Sequence, residues 1–95
     1  MTIELKIIDG SIMIRDKQNG WFQNFFNPWM SIDTMEDNVP HTNALLHEFQ
    51  TGYWNFNEVL AFARKNSNQL NYYCIKSLDF IKNKLNKNKQ ILNNL

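Results

Sequence analysis

Apolar and polar residues alternate on both sides of the dipeptide Asp9-Gly10, near the start of the chain. A two-residue type I′ turn needs two positive φ angles, and an Asp-Gly pair supplies them readily. The pattern therefore predicts an antiparallel β-hairpin with one apolar face and a cross-strand ion pair on the other. The predicted pairs are Glu4–Arg15, Leu5–Ile14, Lys6–Met13 and Ile7–Ile12, and the apolar face comprises Ile3, Leu5, Ile7, Ile12 and Ile14.

The aromatic stretch GWFQNFFNPWM, residues 20–30, fits two structures. Asn19-Gly20 is a second turn signal, and a tight turn there would make residues 21–26 the third strand of a meander, with Phe25 opposite Ile14. The rival is a short helix that ends at a proline. We favour the strand, and the helix remains open. The residues that also fall at helical spacing are Phe22, Phe25, Phe26 and Trp29.

Helix signals dominate after a loop at 27–40, in which a short helical turn is expected at 33–37. Pro40 suits a first helical turn, and Gly52 would end that helix. Asn55, followed three residues later by Glu58, resembles a capping box that opens a second helix, which stops near residue 66. The inward residues of these two helices are Leu45, Leu46, Phe49, Val59, Leu60, Phe62 and Ala63.

The last predicted helix is the longest. Its apolar residues recur every three or four positions, as one buried face of a helix requires. Together these elements predict a single domain, 1–95, of the α+β class: an N-terminal antiparallel hairpin or three-stranded meander packed against about three C-terminal helices. The stripe comprises Leu70, Cys74, Leu78, Ile81 and Leu85, and Ile91, Leu92 and Leu95 would either finish the core or dock a partner.

Charge is distributed unevenly, although the formal net charge is only +1. Residues 18–63 contain five acidic residues and no Lys or Arg, which gives −5. Residues 64–95 contain seven Lys or Arg residues against Asp79 alone, which gives +6. The two regions either pair internally or present faces of opposite sign to partners, and the sequence leaves both open.

The sequence offers little catalytic chemistry. His41 and His47 are six residues apart, which does not place them on one helix face as a zinc pair would need. Cys74 lies on the apolar stripe, where burial raises the pKa of a thiol and makes it a poor nucleophile. The glycines are isolated turn residues rather than a phosphate-binding loop. We expect no enzyme activity, no metal and no cofactor.

Aromatic residues outnumber the places that a small core offers, so some should lie at the surface beside the acids. Large aromatic anchors with neighbouring charges are typical of protein-binding surfaces. We expect Phe25 inside and Trp29, with Trp54 nearby, at a contact surface. The predicted partner-binding residues are Trp29, Asp33, Glu36, Asp37, Glu48, Tyr53 and Trp54.

The preferred hypothesis is a small inhibitor, bacterial or phage in origin, that occludes a basic protein partner. An immunity protein that neutralises a nuclease toxin fits this description, and so does a phage inhibitor of a host defence nuclease, of the anti-CRISPR type. The alternative is a nucleic-acid-binding regulator that uses the Lys-rich C-terminal helix, although the acidic middle makes nucleic acid a less favoured partner. We expect a monomer or weak homodimer without a membrane span. The single cysteine and the absence of a signal peptide favour the cytoplasm.

Overall fold

The computed structural model describes residues 3–16, 29–33 and 39–93, with side chains in the last helix as far as residue 87. A three-stranded antiparallel sheet is followed by three helices. This order confirms the predicted α+β class. The elements are β1 (Ile3–Ile8), β2 (Ser11–Asp16), β3 (Met30–Ser31), α1 (Val39–Gln50), α2 (Phe56–Lys65) and α3 (Tyr72–Asn93), with a 3₁₀ turn at Ser67–Gln69.

The hairpin has the predicted turn and register. Asp9 and Gly10 adopt φ angles of 52° and 81°, which are the positive values that a type I′ turn requires. Glu4 lies opposite Arg15, and the Nη2 of Arg15 is 3.3 Å from the Oε2 of Glu4, so the cross-strand ion pair is present. Local turn chemistry and strict alternation therefore specify this unit without help from distant residues.

The third strand differs from its prediction. Ile14 pairs with Met30 and Met13 pairs with Ser31, so the predicted pairing of Ile14 with Phe25 is wrong. The same edge continues one residue further, where the backbone N–H of Ile32 donates to the carbonyl of Ile12 over 2.9 Å. Ile32 is fully buried, and its burial selects this short strand within the expected loop. The conformation of residues 21–26 and the expected turn at 34–37 lie outside the described residues.

The helices begin and end close to their predicted limits. Pro40 lies in the first turn of α1, and the chain turns at Gly52, where φ is 78°. The side chain of Asn55 caps α2 by accepting from the backbone N–H of Asn57 over 2.9 Å, so the predicted cap is confirmed one residue earlier than a capping box would place it. Asn66 forms the C-cap of α2.

One apolar cluster joins the inner face of the sheet to all three helices. α3 packs against both α1 and β2, so the predicted stripe of α3 faces the core. Phe49 is central to the aromatic part of this cluster, with its ring centroid 5.7 Å from that of Trp54 and 5.0 Å from that of Phe56. The buried members are Ile3, Ile12, Ile14, Ile32, Leu45, Phe49, Trp54, Phe56, Val59, Ala63, Cys74, Leu78 and Ile81.

Asn71 fixes the start of α3 against the hairpin turn. Its side-chain oxygen accepts from the backbone N–H of Cys74 over 2.8 Å, which caps the helix. Its own backbone N–H donates to the carbonyl of Gly10 over 2.9 Å, and its side-chain amide donates to the carbonyl of Asp9 over 3.2 Å. The orientation of α3 is thereby tied to the sheet at the first residue of the helix.

Candidate functional site

Trp29 lies among cations of its own chain. The Nζ of Lys6 is 4.1 Å from the centroid of the Trp29 ring, and the guanidinium carbon of Arg15 is 4.4 Å from it. Both cations come from the hairpin, on the strand positions that alternate with the apolar face. Cations within about 6 Å of an aromatic ring are attracted by its electron-rich face. The half-buried Trp29 is thus occupied internally by the charge sign that we expected a partner to supply.

Trp54 was predicted at the surface, and this is wrong. Only 5% of the residue is exposed. Its indole packs against Phe49, while its Nε1–H donates to the Oδ1 of Asp16 over 2.5 Å. The last residue of β2 therefore receives the polar end of a side chain whose apolar body completes the core. This satisfies the buried N–H that an indole brings with it.

Tyr53 remains at the surface beside two carboxylates. The residue is 37% exposed, and its hydroxyl donates to the Oδ2 of Asp16 over 3.4 Å. Partial desolvation raises the pKa of the Tyr53 hydroxyl, and the negative charges of Asp16 and Glu48 raise it further. These three residues, Asp16, Glu48 and Tyr53, are called the acidic corner below. It is the part of the predicted partner-binding set that combines acids with an exposed ring.

Asp33 faces the inside of the molecule. Its carboxylate accepts from the hydroxyl of Ser77 over 3.3 Å, and Ser77 is fully buried on α3. The backbone of the same region is held by His41, whose Nε2 lies 2.7 Å from the carbonyl oxygen of Ser31 and must donate to it. Asp33 therefore connects the end of β3 to α3. Glu36 and Asp37, the remaining acids of the predicted set, lie outside the described residues.

The exposed side of α3 carries aromatic residues that the sequence analysis did not assign to any site. Tyr72 is 61% exposed, Tyr73 is 57% exposed and Phe80 is 38% exposed. Exposed lysines lie between and beyond them along the same side of the helix. We call this set the aromatic–lysine face, and it comprises Tyr72, Tyr73, Lys76, Phe80, Lys84 and Lys87.

Each of two lysines of this face lies over a ring one helical turn before it. The Nζ of Lys76 is 4.7 Å from the ring centroid of Tyr72, and the Nζ of Lys84 is 5.6 Å from that of Phe80. The hydrogen bond with Tyr72 raises the pKa of Lys76, which keeps the ammonium group charged. Exposed contacts of this kind contribute only about 0.5–1 kcal/mol each, so the rings and the cations remain available to a partner.

The helix geometry explains why these rings are exposed. Cys74, Leu78 and Ile81 occupy the side of α3 that packs into the core. At 100° per residue, Tyr72 and Phe80 fall on the opposite half of the helix, where no further element covers them in the described part of the chain. The signal was present in the sequence as aromatic and lysine residues alternating at positions 72, 76, 80 and 84.

Cys74 has the surroundings of a structural residue. It is fully buried on α3, and burial raises the pKa of its thiol, as the sequence predicted. Among the residues that the structure describes, no group of three or more His, Cys, Asp and Glu side chains lies close enough to hold a metal ion. A shallow cleft of about 240 Å³ lies between the start of α2 and α3, with Phe56, Leu60 and Lys82 in its lining.

Comparison with known proteins finds no matching family model, no curated protein of significant similarity and no solved structure that matches. The site therefore has to be argued from its own geometry. Within 3–16, 29–33 and 39–93, the helices are too short or too polar to cross a membrane.

Proposed function

We propose that this chain is a non-enzymatic binding protein that acts by occupying a negatively charged macromolecular partner. The observation that supports it is the aromatic–lysine face of α3. Three exposed rings on one side of a single helix, with lysines one turn away, form a surface that the fold itself does not use. Exposed apolar groups that cluster in this way are typical of contact surfaces rather than of ordinary protein exterior.

The two residue types on this face supply different parts of binding. Tyr72, Tyr73 and Phe80 provide rigid aromatic area with few rotatable bonds, which is favourable for affinity. Lys76, Lys84 and Lys87 attract an anionic partner over longer distances and lose that effect as salt is added. The proposed mechanism is occupation of the partner's surface, with no bond made or broken.

The side chains with chemical potential are engaged in the fold, which supports a non-enzymatic role. The thiol of Cys74 is buried with a raised pKa, and the ring of His41 is held by a backbone carbonyl. Asp16 accepts from both Trp54 and Tyr53, and Asp33 accepts from Ser77. Each of these groups already has a structural partner in the folded chain.

Occlusion of a basic protein, by an immunity protein or an anti-CRISPR-type inhibitor, is the second candidate. The acidic corner favours it, because the exposed Tyr53 lies within the field of Asp16 and Glu48. Trp29 and Trp54 contribute less than predicted, since the first is in contact with Lys6 and Arg15 and the second is buried. This candidate therefore rests on a smaller surface than the first.

Binding to two polyelectrolytes of opposite sign separates the candidates. We expect saturable binding of heparin at low salt, reduced about tenfold in the double variant Lys76→Gln/Lys84→Gln by the loss of two cations. The matched control is Glu48→Gln, which removes a charge from the acidic corner and should leave heparin affinity unchanged or slightly higher. Isothermal calorimetry supplies the affinities, and circular dichroism checks that each variant is folded.

The contrary result is equally defined. Absence of heparin binding, or equal affinity in wild type and the double lysine variant, would contradict the first candidate. Binding of poly-L-lysine that is lost in Glu48→Gln combined with Tyr53→Ala would support the second candidate instead.

A further inference from the structure

We infer that the aromatic–lysine face binds single-stranded nucleic acid, an inference that rests on the proposed function and names its partner class. A partner for this face has to offer negative charge and flat apolar surface together. Single strands do so in every nucleotide, because each has a phosphate and a base whose faces are free to stack. Proteins that bind single strands without sequence preference combine the same two elements, aromatic side chains and a line of cations.

The order of residues along α3 matches this alternation. Tyr72, Lys76, Phe80 and Lys84 follow one another at intervals of four residues, which is a rise of about 6 Å per step along the helix axis. Ring and ammonium group therefore alternate along one row rather than forming separate apolar and basic patches. Bases would stack on Tyr72 and Phe80 while the neighbouring phosphates contact Lys76 and Lys84.

The neighbouring residues define the width of the face. Tyr73 and Lys87 lie beside the row on the same half of the helix, so they extend the contact. Ile75, Asp79 and Lys82 are exposed on the other flank of α3, where the single acid would repel phosphate. The strip thus has a polar boundary, and its row from Tyr72 to Lys84 spans about 18 Å, enough for a few nucleotides.

Two other partners fit the face less well. Double-stranded nucleic acid supplies phosphates, but its base faces are hidden in the stack and give the exposed rings nothing to contact. An acidic protein supplies carboxylates, but the centres of protein–protein interfaces are depleted in lysine, and here lysines lie between the rings. Single-stranded nucleic acid uses both components of the face at once.

The test is fluorescence anisotropy of a dye-labelled short oligothymidylate at low salt, with the full chain. The triple variant Tyr72→Ala/Tyr73→Ala/Phe80→Ala removes all three rings, and Phe80→Leu with Tyr72→Leu keeps apolar bulk without aromatic faces. The matched control is Ile75→Ala/Lys82→Gln, which alters the other flank of the same helix. Circular dichroism and thermal unfolding confirm that each variant retains the helix.

We expect the wild type to bind the oligonucleotide, with at least tenfold weaker binding to the corresponding duplex. The triple alanine variant should lose at least about 30-fold in affinity, since base stacking on aromatic side chains is the main sequence-tolerant contribution in such sites. The leucine variant should lose most of the same affinity, and the Ile75 and Lys82 control should stay within about twofold of wild type, because it keeps the face.

The salt dependence provides a second readout that a merely structural role would not move. Each phosphate contact to a single strand contributes about −0.7 to the slope of log affinity against log salt, so three lysines predict a slope of about −2. Lys76→Gln/Lys84→Gln should reduce the magnitude of that slope by about 1.4. The ring variants should lower the affinity and leave the slope unchanged.

The outcomes separate this inference from the proposed function. Heparin binding that matches oligonucleotide binding and is unaffected by the ring variants would overturn the inference while leaving an anion-binding face. Equal affinity for duplex and single strand would overturn it in the same way. No binding to any polyanion would overturn both the inference and the proposed function.

Discussion

The hairpin region and the last helix both place aromatic rings beside charged groups, and they do so in opposite ways. In the hairpin region the partners are far apart in sequence: Asp16 and Trp54 are separated by 38 residues, and their contact exists only in the folded chain. On α3 the partners are one turn apart, as in Lys76 over Tyr72. Long-range pairs bury their rings in the core, whereas local pairs on one helix leave theirs at the surface.

This difference teaches where a contact surface can be found in a small protein. The acids and aromatics of the middle region are close in sequence, which suggested an exposed anchor surface. Folding uses several of them instead, because Trp54 completes the core and Asp33 joins β3 to α3. The face of α3 has no such structural use, so it is the better candidate for binding.

The largest expected effect is the loss of Trp54. Trp54→Ala should lower the free energy of unfolding by about 3–5 kcal/mol, because a buried aromatic side chain leaves a cavity beside Phe49. Asp16 would also lose its shortest hydrogen bond. Urea denaturation measures the change. Tyr73→Ala is the matched control from α3, and it should stay within about 0.5 kcal/mol of wild type, as exposed substitutions do. Similar losses in both variants would break the comparison.

The junction between the hairpin turn and α3 should give the next largest effect. Gly10→Ala places a Cβ 3.0 Å from the Cβ of Asn71 and 3.1 Å from its backbone nitrogen, at a φ of +81°. Gly52 has a similar φ of +78° with nothing within 4 Å of a built Cβ, so Gly52→Ala isolates the backbone cost alone. We expect both to destabilise by about 1–3 kcal/mol, with the larger loss at Gly10.

Thermal unfolding of the two glycine variants tests this difference. An equal loss at both positions would show that the contact with Asn71 does not constrain the start of α3. A larger loss at Gly10 supports a fixed attachment of the helix to the sheet.

Removal of exposed rings should have a much smaller effect on stability. Tyr72→Ala/Phe80→Ala should change the free energy of unfolding by less than about 1 kcal/mol, because only exposed cation–π contacts are lost and alanine favours the helix. Urea denaturation monitored by circular dichroism gives the value. A loss comparable with that of Trp54→Ala would mean that the rings stabilise the fold, which would leave no surface to spare for a partner.

The smallest expected effect concerns the acidic corner. The folded-state pKa of Tyr53 is raised above its usual value of 10.0, so its contribution to stability is present below that pH and is lost as pH rises through the folded-state pKa. Asp16→Asn should lower the pKa of Tyr53. Absorbance titration of the phenolate, with Tyr53→Phe subtracted, measures the shift. An unchanged pKa in Asp16→Asn would contradict the contact between the two side chains.

Features specified by neighbouring residues were predictable from the sequence. Asp9-Gly10 with its alternating flanks determines the hairpin and its register, and the stripe through Cys74 and Ile81 determines the inward side of α3. Both depend on periodicity and turn chemistry, which operate over a few residues. The aromatic–lysine face was readable on the same helix from the complement of that stripe.

Features specified by distant residues were not predictable in this way. The position of β3 depends on the burial of Ile32, while Asn19-Gly20 offered a stronger local turn signal. The burial of Trp54 depends on Asp16, whose carboxylate accepts its N–H from another element. Sequence proximity of aromatic and acidic residues does not reveal such contacts, because a burial decision is made by the whole core.

The most direct test of the central claim is a map of amide chemical-shift changes when a short oligothymidylate is added to the isotopically labelled protein. The account predicts changes concentrated between Tyr72 and Lys87 on α3, with Asp16, Glu48 and Tyr53 unaffected. Changes concentrated at the acidic corner, or on the hairpin around Lys6 and Arg15, with α3 unaffected, would contradict it.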